Sequence, residues 1–546
     1  MEDGKHATQS FRDVLCALER DNVIARLWAG DHRLWSPIPN EIVDRLGWLR
    51  LPDTMATHLA ELSDFSDEAR SEGLDDVVLL GMGGSSLAPD AMARAGLPDR
   101  GAPRLHVLDT LHPSAVRRVS ASIDLQRTLF VVSTKSGTTS ETLTLARYFQ
   151  EQADGVLGPR DAGRRFVAIT DPGSPLVAWA AARGYRRTFL NDPNVGGRYA
   201  ALSLVGLVPG ALLRIDLEAL LHAARGAAAA CSPDLSPQDN RGAWLGASLA
   251  AQAMGGRDKL TIEAPPDLAG LADWIEQLIA ESTGKSGRGI LPVVGEPLAP
   301  ASAYGRDRLF LSLSPLEERR SEDLALGGHP ALTLDDRDAP EFGRIFFLAE
   351  FATAIAGHVL GIHPFNQPDV ESAKTETRRL LEELRRSGRR PAETRRALTR
   401  EELDRQVASA KVGDYVALLA FLDPSPAVEA RLRALQGQLR DATGCAVTLG
   451  FGPRYLHSTG QLHKGDAGRG IFVHLVDATE DPLDAPGPSG RERLADALLC
   501  QAFGDAATLR ARGRRVESYD LGGDPAAALD EVLASYARRP PRQEAR

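Results

Sequence analysis

Two short stretches carry residue types able to hold a small anion. The first, "FVVSTKSGTTSET" (130–142), is an apolar run that breaks into hydroxyls around one lysine. Thr138 followed by Glu141 fits a capping box, which predicts a helix beginning there. That leaves Thr134, Lys135, Ser136 and Thr139 unexplained. Hydroxyls and backbone amides around one ammonium are the donors that a phosphate dianion needs. The second stretch, "VVLLGMGGSSLAP" (77–89), ends a strand at Gly81 and opens a helix near Ser85 or Ser86. Gly83 and Gly84 would let an anion approach the backbone beside Ser85 at that helix N-terminus. The turn reads as a sugar-phosphate site, a plain tight turn, or a dinucleotide site with Asp109 as ribose carboxylate. Against the last, Ser86 replaces the third glycine of G-x-G-x-x-G, and Asp109 lies beyond the usual spacing. Two such loops after two strands of one sheet converge on one ligand. A single phosphate suits them better than a pyrophosphate, which needs a longer groove.

The elements around these loops are regular. Short apolar runs, "DVVLLG", "RLHVLD", "LFVVS" and "FVAIT", alternate with helical stretches such as "SSLAPDAMARAG" and "SETLTLARYFQEQA". Such strands, buried on both faces, predict a doubly wound parallel sheet. Right-handed crossovers then gather the polar loops at the carboxyl edge. Residues 1–60 read as helical and irregular, with Trp28, Trp35 and Trp48 as packing anchors, and 61–234 as the first α/β domain. A second domain, 235–411, holds "KLTIEAP", "LAGLADWIEQLIAES", "LFLSLS", "ALTLD" and the apolar helix "EFGRIFFLAEFATAIAGHVLGI". Its charged end, "TRRLLEELRRSGRRPAETRRALTREELDRQ", reads as a solvated connector rather than a binding patch. Residues 412–546 alternate strands ("YVALLAFL", "AVTLGFG", "GIFVHLV", "RRVESYDL") with helices and finish in a frayed tail, "RRPPRQEAR". The predicted class is α/β: two doubly wound, three-layer αβα domains plus a smaller C-terminal α/β unit.

At 546 residues the chain is too long for one core, which agrees with that division. A formal charge of −10 gives no support to nucleic-acid or membrane-surface binding, so an anion must be held by a local site. Cys16, Cys231, Cys445 and Cys500 are far apart and form no C-x-x-C pair, which argues against zinc and disulfides. The start, "MEDGKHATQSFRD", has no apolar signal core, and no apolar stretch reads as long enough to span a bilayer. The expected compartment is the cytoplasm.

The blocks "GMGGSSLAP", "STKSGTTSET", "NVGGRYAALS", "WIEQLIAESTGK" and "HPFNQPDVESAK", in this order, resemble the signatures of the phosphoglucose isomerase family, with its sugar-isomerase domains. "RLWAGDHRLW" and "FGPRYLHSTGQLHKG" further resemble the isomerase half of fused transaldolase–phosphoglucose isomerases. The resemblance implies reversible conversion of D-glucose 6-phosphate and D-fructose 6-phosphate through an enediolate, without metal or redox cofactor. It implies Gly84, Ser85, Thr134, Lys135, Ser136, Thr138 and Thr139 around the phosphate.

Glu281 is then the base: with Trp274 and Leu278 it follows one helix face, at the edge of an apolar stripe where burial would raise its pKa. Glu276 falls on another face and reads as solvated. Arg198, after two glycines, is implied as the cation facing the enediolate. Lys374, after a loop shaped by Asn366 and Gln367, is implied to assist ring opening. The family's histidine follows Gly-Gln after the base, and no such sequence is present; His463 or His457 in the C-terminal loop is the expected replacement. A homodimer is expected, since that histidine often comes from a neighbouring subunit, and a separate transaldolase is a possible partner. Two other readings stay open: an isomerase that also accepts mannose 6-phosphate, and a sugar-phosphate-binding regulator without turnover.

Overall fold

The computed structural model describes residues 10–334, 341–391, 393, 395–487 and 490–537, so the tail at 538–546 lies outside the described residues. The first sheet holds β1 (Asp76–Leu80), β2 (Arg104–Leu108), β3 (Thr128–Ser133), β4 (Phe166–Thr170) and β5 (Arg187–Leu190). All its pairings are parallel, in the order β2-β1-β3-β4-β5. β1, β3 and β4 are buried along their whole length, as helices on both faces require. The second sheet, ordered β7-β6-β8-β9, uses β6 (Lys259–Glu263), β7 (Leu291–Val294), β8 (Arg308–Ser312) and β9 (Ala331–Thr333).

The third sheet runs β10-β16-β13-β11-β12, with β10 (Arg396–Ala397), β11 (Tyr415–Phe421), β12 (Ala446–Phe451), β13 (Gly470–Val476) and β16 (Arg515–Asp520). A hairpin of β14 (Asp484–Gly487) and β15 (Gly490–Arg493) stands apart from it. The order β12-β11-β13-β16 repeats the β2-β1-β3-β4 of the first sheet and the β7-β6-β8-β9 of the second. In each, the strand order reverses beside the first strand, and ligands gather at the carboxyl ends there.

Three sequence expectations change. Helix Phe342–Leu360 is long and apolar enough to cross a membrane by length and composition, contrary to the reading of that stretch. It is instead a core helix, 83% buried over its most apolar stretch, against which Trp28 and Trp48 pack through Phe347 and Phe351. The charged connector is not simply solvated. Helix Glu371–Ser387 buries Ala373 and Leu380, and Thr377 lies so close to Gly504 that a Cβ there would meet its Oγ1 at 2.6 Å. The helix after β3 is Ser140–Leu157, and its N-cap, Thr139, makes no side-chain capping bond. The Thr138–Glu141 capping box therefore does not form, and Glu141 is committed elsewhere.

Candidate active site

Four segments meet at one place, and two glycines let them. A Cβ on Gly83 would lie 2.6 Å from the His457 carbonyl oxygen and 2.7 Å from Gln277 Nε2. One on Gly84 would lie 2.2 Å from the Gly197 carbonyl oxygen. In place of the expected open approach for an anion, these glycines let the β1 loop pack against the Arg198 turn, the Glu281 helix and the His457 turn.

Arg198 is the hub. It is almost fully buried, at 4% exposure. Its Nε donates to Ser282 Oγ (2.8 Å), one terminal nitrogen to Gln367 Oε1 (3.1 Å), and the other to the carbonyls of Pro364 (2.6 Å) and Asn366 (2.9 Å). The nitrogen facing Gln367 lies 3.4 Å from Glu281 Oε1. Glu281 sits on helix Ala269–Thr283 with its side chain 12% exposed, and Gln277, one turn earlier, donates to its other oxygen at 3.2 Å. A carboxylate and a guanidinium thus face each other at the edge of the helix's apolar face, which Trp274 and Leu278 line.

Lys285, which the sequence reading left without a role, lies beside them. Its ammonium donates to the carbonyls of His363 (2.6 Å) and Asn366 (2.5 Å) and to Asn366 Oδ1 (3.1 Å). Burial, with the nearby Arg198 charge, pushes its pKa well down, while Glu281 opposes the shift. The same surroundings hold His363 at about 4, chiefly through burial.

A second acid pairs with a histidine from the C-terminal unit. Glu141, at 5% exposure, accepts from His457 Nε2 (3.1 Å), Gln501 Nε2 (2.7 Å) and Ser140 Oγ (2.8 Å). Burial alone would raise its pKa, yet the His457 charge and these hydrogen bonds hold the carboxyl at about 2. Gln277 links this pair to Glu281, because its Nε2 also donates to the His457 carbonyl at 2.7 Å. Three residues before His457, Arg454 anchors the turn on Asp109 (2.8 Å) and Asp90 (3.2 Å). Asp109 is therefore spent on holding the C-terminal unit, which removes the ribose role considered for it.

The hydroxylated loop follows β3, next to β1, at the reversal point of the first sheet. Its groups bond among themselves: Thr134 Oγ1 to Thr139 Oγ1, and Ser136 Oγ to Thr138 Oγ1, each at 2.8 Å. Lys135 bonds to Asp171 and to the Pro193 carbonyl (2.9 Å), so its ammonium is already paired. Burial raises the Asp171 carboxyl against the pull of that lysine. Ser85 lies in the turn Gly83–Ser85, half-buried.

Three other sequence-picked side chains sit differently. His463 is 1% exposed, hydrogen-bonded at Nδ1 to the Tyr415 hydroxyl (3.1 Å), and packed edge-on against Phe472. Burial and the adjacent Lys464 charge hold it neutral, at about 3, inside the core of the C-terminal unit. Lys374 projects outward on its helix, 53% exposed, 3.6 Å from Glu371. Glu276 is half-buried rather than solvated, and burial with Asp273 raises its carboxyl to about 8. Glu141 and Gln277 were missed as functional residues. Glu141 had been absorbed into a cap, and Gln277 had only its place one turn before Glu281 to mark it.

Comparisons with known proteins show the family of the chain. The sequence model of phosphoglucose isomerase matches residues 55–286, which include the β1 loop, the β3 loop, Arg198 and Glu281. A curated relative from Rubrobacter xylanophilus, named glucose-6-phosphate isomerase, is 32% identical over 395 residues, covering 63% of this chain and 90% of its own. The chain belongs to the phosphoglucose isomerase family. A hypothetical protein of Thermus thermophilus superposes with a TM-score of 0.59 at 27% identity, covering 68% of this chain and 97% of its own. A glucose-6-phosphate isomerase from Chlamydia trachomatis shares the fold, with a TM-score of 0.58 at 20% identity, over 69% of this chain and 86% of its own. Each of these matches leaves roughly a third of this phosphoglucose isomerase family chain uncovered.

Proposed function

We propose that the chain is a glucose-6-phosphate isomerase that interconverts D-glucose 6-phosphate and D-fructose 6-phosphate. The observation that carries this reading is the Glu281–Arg198 pair, linked through Gln277 to a second pair, Glu141–His457. Glu281 takes the proton from C2 and returns it to C1. The fixed Arg198 charge stabilises the enediolate oxygen, an effect that does not require a free N–H. The hydroxyl proton passes from O2 to O1 at the same time; moving both protons within the substrate leaves no net oxidation, so the chemistry calls for no redox cofactor.

His457 is assigned to ring opening, with Glu141 Oε1 holding its Nε2 and so fixing the ring's orientation. This histidine comes from the same chain, so the site needs no partner subunit to supply one. The buried His463 takes no step. The phosphate is assigned to Ser85, Gly84, Thr134, Lys135, Ser136, Thr138 and Thr139, with its oxygens replacing the hydroxyl pairs and Asp171 as partners. Lys374 faces solvent beside Glu371, so the ring-opening role that the resemblance implied passes to His457.

Incubating the purified chain with glucose 6-phosphate, and separately with mannose 6-phosphate, tests the reading by NMR. Fructose 6-phosphate from the first alone is the expected result. Product from both would make the enzyme bifunctional. Binding of either without product would identify a regulator instead.

A further inference from the structure

A cavity of about 460 Å³ opens beside the Gly284–Gly289 loop, and neither Glu281 nor Arg198 lines it. Its walls include the first residues of β6, β7 and β11 (Lys259, Leu291 and Tyr415), so it lies at the amino edge of the second and third sheets. Ligand sites of doubly wound folds gather at the opposite edge, so this space is no part of the site above. The wall is mixed: Met254, Leu291, Leu360 and Leu462 are apolar, and Asp258, Lys259, Arg288, Asp466 and Arg469 are charged.

Both acids in the wall are neutralised, whereas two of its cations are not. Asp258 pairs with Lys259 at 2.5 Å, and Asp466 pairs with Arg514 at 2.9 Å. Arg288 donates to the Leu360 carbonyl and has no carboxylate partner among the described residues. Arg469 comes no nearer than 3.9 Å to Asp414, whose other oxygen Arg515 holds at 2.9 Å. Two guanidiniums with spare donors beside an apolar wall suit an oxyanion on a short carbon body.

The wall is also mechanically joined to the site. The loop that carries Gly287, Arg288 and Gly289 into the cavity begins with Lys285, whose ammonium shares the Asn366 carbonyl with Arg198. Gly284 lies so close to Leu462 that a Cβ there would meet its Cα at 2.3 Å, and the Gly287 N–H donates to the Gly465 carbonyl at 2.9 Å. Ser286 takes a left-handed φ of 54°, uncommon for a residue with a side chain. A ligand that draws Arg288 inward therefore pulls on the segment that positions Asn366 and Arg198.

We propose that this cavity binds a small organic anion, a carboxylate or phosphate on a short carbon body, and that its occupancy alters turnover through the Gly284–Gly289 loop. The turnover half rests on the isomerase reading, and the binding half does not. Citrate and then inorganic phosphate are titrated calorimetrically into the full chain, into Arg469→Met, and into Arg288→Met/Arg469→Met. The expected result is citrate binding weakened about tenfold or more in the double variant and partly in the single one. Without citrate, the kcat and KM of Arg469→Met should stay within about twofold of wild type, and citrate should change the wild-type kcat. Equal anion affinity in all three proteins, no binding of either anion, or purely competitive inhibition in all three would overturn the proposal. If the chain does not turn over sugar phosphate, the isomerase reading fails, and the calorimetric comparison still decides the cavity.

Discussion

The first and third sheets share a strand order but use their carboxyl edges differently. In the first, β1 and β3 run into glycine- and hydroxyl-rich loops beside the Glu281 helix. In the third, the edge is devoted to docking. Asp423, just past β11, pairs with both terminal nitrogens of Arg118 at 3.0 and 2.9 Å, and the turn after β12 carries Arg454 to Asp109 and His457 to Glu141. Topology fixes where a loop emerges, whereas the residues in the loop decide whether it holds a ligand or a neighbouring domain. The C-terminal unit, with a ligand-binding layout, lends a side chain to the site of another sheet.

Four experiments would break or sharpen this contrast. The largest effect is expected on the Glu281 helix, where Glu281→Gln should lower kcat about a thousandfold or more and leave substrate affinity nearly unchanged. Steady-state kinetics with glucose 6-phosphate checks it, and wild-type turnover would remove Glu281 from the mechanism. Next, His457→Gln and Glu141→Gln should each cost about a hundredfold, and His463→Gln little, as long as the variant folds. The reverse ranking, measured in the same assay, would move the catalytic histidine into the core of the C-terminal unit. Lys135→Ala should raise KM about tenfold with a small change in kcat; a collapse in melting temperature at unchanged KM would make the β3 loop a packing element. The smallest effect is expected at the docking edge. The Arg118–Asp423 pair is half-exposed, so Arg118→Ala should cost about 1 kcal/mol or less by denaturant unfolding. A cost of several kcal/mol would mean that the edge holds the two units together through that pair.

Acid should weaken the molecule by a route that the buried histidines set. His463 is held near 3, and His474 and His363 near 4, all below an ordinary value of 6.5 and all chiefly through burial. The unfolded chain takes up protons below about pH 6.5 that the folded chain refuses, so this stability is complete above that pH and declines toward 3 to 4. Glu141, held near 2 against an ordinary 4.5, adds stability present above about 4.5 and lost as the pH falls toward 2. Calorimetric melting temperatures should therefore drop between pH 7.5 and 5, before most carboxylates titrate. A flat profile across that range would show that the three imidazoles are accessible to protons in the folded state.

Much of the fold was legible because burial on both faces leaves an unbroken apolar run. "VVLL", "FVVS", "FVAIT", "YVALLAF" and "GIFVHLV" all fall in strands. β5, with the sequence "RTFL", escaped because it is a partly exposed edge strand that reads as a loop. In the site, Glu281 and Arg198 could be named because type and position go together in those blocks, and the structure brings them to within 3.4 Å. Glu141 could not be named from sequence. Its partners, His457 and Gln501, lie more than three hundred residues away, and a local capping pattern gave it a plausible other purpose. The same long-range blindness made His463 look as available as His457, although one faces the site and the other faces Tyr415.

Isomerisation by this chain requires that a proton move between C2 and C1 at Glu281. Its most direct test is to follow the C2 hydrogen of glucose 6-phosphate in D2O by NMR, with wild type and with Glu281→Gln. Deuterium wash-in alongside fructose 6-phosphate is expected for wild type, and loss of both in a variant that still binds the sugar phosphate. Binding by wild type with no exchange would contradict it.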